Sequence, residues 1–379
     1  MKGCLCRRHM IFGILGTAGL AACSARAAAQ AASDHAGTLR ALRAAGALDP
    51  YLNEILGELA TELGRLMQIP GGAAVNAVPA AGGILVCTVR AGSPQSIIGS
   101  DVVLQRGSPV TDAARHVVWI DADFLRDLTT RISLLADPSM GGEGLSAVAV
   151  EAQMVLTPPP ARPELWQPDT SPALTNFTGQ RAWRGAIGFI LAHEFGHVLQ
   201  GPTRQLPREP GNLPPRAREL APVCPALTDP VVTARRVYEE KADELAFEAV
   251  IAGGAVLGRG SRYLAGDLGI PMLLQLFLAK DIVYVGSKID SQPAIDFLRQ
   301  QIGEDALTRL KVIPRSLRRS ALIEQFYSQT HPAVVQRLSA IRRKLSVQPG
   351  SIWYGSRVPP VEQIMKEIAD KACAEAPAR

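Results

Sequence analysis

The sequence predicts an α+β fold in which helices predominate and strands are few and short. Three observations lead there. Most apolar positions recur at helical spacing. Only two short runs, Ile84 to Val89 and His116 to Ile120, are β-branched and bounded by Gly, Pro or Asp in the manner of strands. Glycine- and proline-rich stretches separate the helical blocks. Apolar residues make up 47% of the 379, which excludes a disordered chain and allows one large domain or two ordinary ones.

The N-terminus reads as a targeting segment. Lys2, Arg7 and Arg8 form a charged region, and Met10 to Ala22 is apolar but too short to span a bilayer as a helix. It ends in Leu20-Ala21-Ala22-Cys23, which resembles the bacterial lipobox. That implies removal of residues 1–22 and a lipid on Cys23. Cleavage within Ser24-Ala25-Arg26-Ala27 is the alternative, and Arg7-Arg8 fits a twin-arginine signal poorly. Removing those three basic residues from a formal charge of +5 leaves +2 from Cys23 onward. With no basic run interleaved with aromatics, nucleic acid is not an expected partner. Export permits a disulfide, and Cys224 with Cys373 is the expected pair, leaving Cys87 over; three free or buried thiols are the other outcome.

Residues 24–35 are alanine-rich and read as a tether, with His35 inside it. Leu39 to Leu48 and Tyr51 to Met67 have helical spacing; Asp49 is placed to cap the second, with Pro50 at its first position. Pro70-Gly71-Gly72 stops it. After the two strands, with His116 read as structural, Asp123 to Leu135 returns to helical spacing. Val148 to Leu156 divides evenly between an alternating strand and an alanine-rich helix. Arg181 to Gln200 is a helix stopped by Gly201-Pro202. Residues 201–230 carry eight prolines and form a long loop, a candidate lid or an inert excursion. Helices follow at Val231 to Val250, Leu264 to Val285, Ala294 to Ile302, Glu304 to Leu310, His331 to about Leu345, and Val361 to Cys373. Asp267, Lys280 and Asp281 interrupt the second of these, so it reads as a buried core helix rather than a membrane span.

The chemistry sits in Ala192-His193-Glu194-Phe195-Gly196-His197. Histidines four apart stand one above the other on a helix, so both imidazoles reach one metal ion. Glu194, beside the first, is placed to take a proton from water. A zinc site that does chemistry has three protein ligands, so one is missing. No histidine follows His197 until His331, which excludes a tri-histidine site with the third ligand six residues on. The helix from Val231 offers Tyr238-Glu239-Glu240-Lys241-Ala242-Asp243-Glu244. Glu239 and Asp243 share a face, so one can bind metal while the other orients a ligand. Read alone, the segment is better taken as a solvated acidic face; the histidine motif upstream reverses that.

Three motifs together resemble the zinc metallopeptidase family of HtpX and the CAAX prenyl endopeptidases, most closely its soluble periplasmic branch. They are Ala192 to His197; Glu239-Glu240-Lys241-Ala242-Asp243; and Thr330-His331-Pro332 with Arg337. The resemblance spans about residues 115–345. It implies a zincin-like fold with its sheet beside the metal helix and one Zn2+ per chain on His193, His197 and Glu239. It selects Glu239 over Glu240, and makes Glu194 the base and Asp243 the orienter of a ligand histidine. Arg337 would pair with a carboxylate near the site or brace the fold. His331 would stabilise the oxyanion, hold the enzyme latent or cap its helix. In this type of peptidase an edge strand near the metal helix pairs with substrate, a part offered to Val148 to Leu156.

The expected organisation is then a signal peptide (1–22), a tether (23–35), a helical and strand region of unassigned role (36–114), a metallopeptidase domain (115–346) and a tail (347–379). The expected function is an endopeptidase in the periplasm, lipid-anchored to the outer membrane, that removes misfolded or stalled envelope proteins. The alternative is a chaperone-like outer-membrane assembly factor with latent proteolysis. Membrane-spanning members of the family carry hydrophobic hairpins that this sequence lacks. The stretches at 137–180 and 201–230 are longer than the family leads one to expect, and residues 24–114 match no known pattern.

Overall fold

The computed structural model describes residues 34–90, 109–136, 146–156, 177–202, 230–253, 264–283, 292–312, 334–348 and 351. They form an α+β arrangement, mostly helical, around one four-stranded sheet. In chain order the elements are α1 (34–44), α2 (Asn53–Leu66), β1 (Ala73–Val75), β2 (Ile84–Val89), β3 (Val110–Asp112), β4 (Val117–Asp121), α3 (Ala122–Ala136), α4 (Ala147–Leu156), α5 (Phe177–Gln200), α6 (Pro230–Ala252), α7 (Leu264–Asp281), α8 (Gln292–Val312) and α9 (Val334–Ser346).

The sheet runs β1-β2-β4-β3. β1, β2 and β4 are parallel, and β3 pairs antiparallel with β4 at the edge. Side chains alternate across a strand, and the two central strands use both faces. Ile84, Val86, Val118 and Ile120 join the main core with α2, α3 and α5. Leu85, Cys87, Val89, Val117 and Trp119 face the other way and pack under Leu39 and Leu42 of α1. Burial on both faces is why β2 reads as a continuous apolar run. The sheet draws strands from both sides of residue 115, and β3 and β4 join across it.

α5 is the central helix. It is buried along most of its length and packs against α6 and α7. α7 crosses it at Gly269, where a Cβ would overlap Ala182 O and Ala186 N, so no larger residue fits. α9 packs on α6 and α7 and so reaches the same neighbourhood from the end of the fold. Among the described residues no helix is long and apolar enough to cross a membrane.

Several expectations are corrected. Val148 to Leu156 is helical, within α4, not an edge strand. Glu151 decides it: the side chain is buried against Arg131 Nε at 2.8 Å, while Val148, Val150 and Ala152 are buried too. Asp49 does not cap α2, which starts at Asn53 after Leu52 in a left-handed turn (φ 61°). Asp49 is committed elsewhere: its N–H donates to Thr88 O at 3.0 Å, and its carboxylate accepts from Arg126 Nη2, which reaches both oxygens, and from the Tyr51 N–H. His35 belongs to the fold rather than a tether, since it lies in α1, 2% exposed, with Nε2 2.8 Å from Arg115 O. By contrast, the two short helices expected at 294–302 and 304–310 are found: α8 is two helical stretches that meet at Gly303, whose backbone is not helical (φ 79°, ψ 166°). β1 and β3, three residues each, were not expected. Cys87 is a buried free thiol, and burial pushes its pKa up to about 12. Cys23, Cys224, Cys373, His331 and nearly all of the 201–230 loop lie outside the described residues.

Candidate metal centre

One turn of α5 carries His193 and His197, and their rings meet edge to face with centroids 4.7 Å apart. The neighbouring helix α6 brings Glu239 to them. His193 Nε2 and His197 Nε2 are 3.1 Å apart, and Glu239 Oε2 lies 3.1 Å from the first and 3.0 Å from the second. All three side chains are buried, and they form the one such three-residue cluster among the described residues. Glu240, the adjacent carboxylate, is not part of it.

Close approach of the helices makes this possible. At Gly196 a Cβ would sit 3.0 Å from Ala242 Cα and 3.3 Å from Ala242 Cβ. A glycine on α5 facing an alanine on α6 therefore lets the two backbones come near enough for Glu239 to reach the histidines. The small residues within the two motifs thus have a packing reason of their own.

Each histidine is held from behind. Asp243, one turn after Glu239, has Oδ1 2.9 Å from His193 Nδ1. Arg337 of α9 donates to the same carboxylate through Nε to Oδ2 and Nη2 to Oδ1, both at 2.7 Å. Burial opposes charge on these groups, but their partners outweigh it. Arg337 and His193 hold Asp243 well below the usual carboxylate range, and Asp243 with Glu239 raises His193 to about 10. With Nδ1–H donating to Asp243, His193 turns Nε2 toward the centre, where loss of the second ring proton frees its lone pair for a metal. His197 is held differently. Its ring stacks on Tyr238, with centroids 4.8 Å apart and planes 13° apart. The Tyr238 hydroxyl lies 2.7 Å from Gly201 O and 2.9 Å from His197 O, and its one proton is shared between these two carbonyls at the end of α5. Burial, with help from Glu239 and Glu194, pushes the Tyr238 pKa up to about 12, so it remains a donor.

Glu194 is buried beside this cluster without joining it. Thr111 of the edge strand β3 donates through Oγ1 to Glu194 Oε2 at 2.5 Å. Sequence reasoning named His193, His197, Glu239, Glu194, Asp243 and Arg337, and the fold gathers all six. It missed Thr111 and Tyr238. Thr111 lies in a strand too short to show periodicity; Tyr238 adjoins the Glu239 motif, but nothing in the spacing marks it as a ring partner.

The donor set fits a metal. Three atoms that each carry a lone pair converge at 3.0–3.1 Å, which needs a cation or protons between them. Bonds of about 2.1 Å to a tetrahedral ion separate ligand atoms by roughly 3.4 Å, a few tenths of an ångström more than what is found. Two imidazoles and one carboxylate suit a borderline divalent transition metal rather than calcium or magnesium, which take oxygen ligands.

No family model matches this chain, and no curated protein and no solved structure matches it either.

Proposed function

We propose that the chain is a zinc-dependent endopeptidase with a zincin-like fold, of the kind typified by HtpX and the CAAX prenyl endopeptidases. One observation carries the reading. Two helix-borne histidines and a glutamate from a second helix converge at 3.0–3.1 Å, with an unligated glutamate next to the first histidine. A site built only to bind metal has no use for that buried Glu194.

His193, His197 and Glu239 would hold a zinc ion, which would supply polarisation of a scissile carbonyl and a lowered pKa of water. Asp243 keeps His193 in the tautomer that ligates, and Arg337 balances the charge of Asp243. Glu194 takes the proton of the attacking water and returns it to the leaving amine. The outer edge of β3 carries no further strand among the described residues and adjoins Glu194 through Thr111. β3, rather than residues 148–156, is therefore the strand that takes an extended substrate backbone.

The site of action is the bacterial envelope, and the substrates are misfolded or stalled envelope proteins. This part rests on the targeting segment and on Cys23, which would carry the lipid. The mass of the mature N-terminus tests it: an acylated Cys23 is expected, and an unmodified terminus after residue 23 would refute the anchor.

The chemistry is tested by Glu194→Gln. Zinc content should stay at one per chain while cleavage of unfolded casein falls about 100-fold or more. A variant that cleaves as well as wild type refutes the mechanism.

A further inference from the structure

We infer that Thr111 is a positioning residue for Glu194, so that the strand offered to substrate also sets the orientation of the catalytic base. This rests on the peptidase reading above.

The geometry begins with the sheet register. Thr111 is directly opposite Val118 across the β3–β4 pair. Residues directly opposite in an antiparallel pair share a face. Val118 belongs to the core that contains Ile190, Leu191 and Phe195 of α5, so Thr111 also points at α5. There its hydroxyl meets Glu194 Oε2 at 2.5 Å, and the same Oγ1 lies 3.3 Å from Glu194 O. A hydroxyl has one proton, and the shorter contact to the charged oxygen is where it goes.

A glutamate side chain has three rotatable bonds, and a base must present one oxygen to water along a narrow range of directions. Holding Oε2 from β3 leaves Oε1 for that task. β3 is three residues long and is paired with β4 on one edge only among the described residues. An extended peptide adding to the outer edge pairs the second side of the strand and fixes the backbone that carries Thr111. Substrate binding and alignment of the base thus share one element. The cost of losing Thr111 should therefore appear in turnover rather than in binding.

The test compares Thr111→Val, which keeps shape and strand preference but removes the hydroxyl, with Thr111→Ser, which keeps the hydroxyl. On an unfolded casein-derived peptide, Thr111→Val should lower kcat about tenfold with KM changed less than twofold. Thr111→Ser should stay within about threefold of wild type, and zinc should remain at one per chain in both. A readout independent of turnover is the melting temperature of the metal-free chain. Thr111→Val should lower it, and the same substitution made on Glu194→Ala should lower it by less than half as much. Equal kcat for Thr111→Val and wild type, while Glu194→Gln is inactive, overturns the inference and leaves the peptidase reading intact. Equal loss in the Val and Ser variants, or melting shifts that add without coupling, also overturns it. An active Glu194→Gln overturns both readings.

Discussion

Asp243→Asn removes one charge from the centre and changes its shape hardly at all. In the native chain the Asp243 carboxylate accepts two bonds of 2.7 Å from Arg337 and lies 2.9 Å from His193 Nδ1. Asparagine has one acceptor oxygen and a donor amide. Whichever way it is turned, the amide faces an Arg337 N–H, and in one orientation the His193 N–H as well, so at least one of the three contacts becomes donor against donor. The Arg337 and Asp243 side chains are each only 10% exposed, so water does little to compensate. Removing one partner of a buried pair costs about 3–5 kcal/mol, and the lower end applies here because Arg337 keeps a neutral acceptor. Losing the group that orients a ligand histidine costs metal affinity roughly 10–100-fold, or about 1.4–2.7 kcal/mol. Urea unfolding of the metal-free protein reads the first quantity, and zinc competition against a chromophoric chelator reads the second. The double variant Asp243→Asn with Arg337→Met separates them. It removes both charges, so stability should partly recover while zinc affinity stays low. Zinc affinity within twofold of wild type in Asp243→Asn refutes the orienting role.

The other predictions concern packing and pH. Gly196→Val places a branched side chain where even a Cβ would be 3.0 Å from Ala242 Cα. It should cost roughly 1–3 kcal/mol in urea unfolding and also weaken zinc binding, because α5 and α6 must separate; unchanged zinc affinity would show that the approach of the helices does not set the site. The metal-free protein should be most stable in mildly acidic solution. His193, raised to about 10, contributes stability that is complete below its ordinary 6.5 and is lost as pH rises through 10. Asp243, held low, contributes stability present above its ordinary 3.8 and lost as pH falls below it. A urea midpoint that climbs between pH 6.5 and 10 would contradict this.

The centre was more legible in the sequence than the sheet that serves it. Histidines four apart and acids four apart each announce a shared helix face, and α5 and α6 keep those faces turned to each other. Spacing alone paired Glu239 with Asp243 without saying which binds; the choice of Glu239, over Asp243 and over Glu240, came from the resemblance. Arg337 lies 94 residues beyond Asp243, and no local signal relates the two, since only the packing of α9 on α6 brings them together. Strand β3 was invisible because Val110, Thr111 and Asp112 are too few to show alternation. Val148 to Leu156 had a pattern consistent with either element, and a tertiary partner, Arg131, decided it. Asp49 has the chemistry of a helix cap but is occupied by the sheet and by Arg126. At Asp49 and at Val148 to Leu156 a long-range contact outweighed a local preference.

Metal content of two neighbouring carboxylate variants tests the account most directly. Glu239 Oε2 sits 3.0–3.1 Å from both histidines, and Glu240, one residue on, is outside the cluster. After purification in zinc and exhaustive dialysis, wild type and Glu240→Ala should each retain one zinc per chain, and Glu239→Ala should retain much less than one. Loss of zinc from Glu240→Ala with full retention by Glu239→Ala would contradict the assignment of the centre.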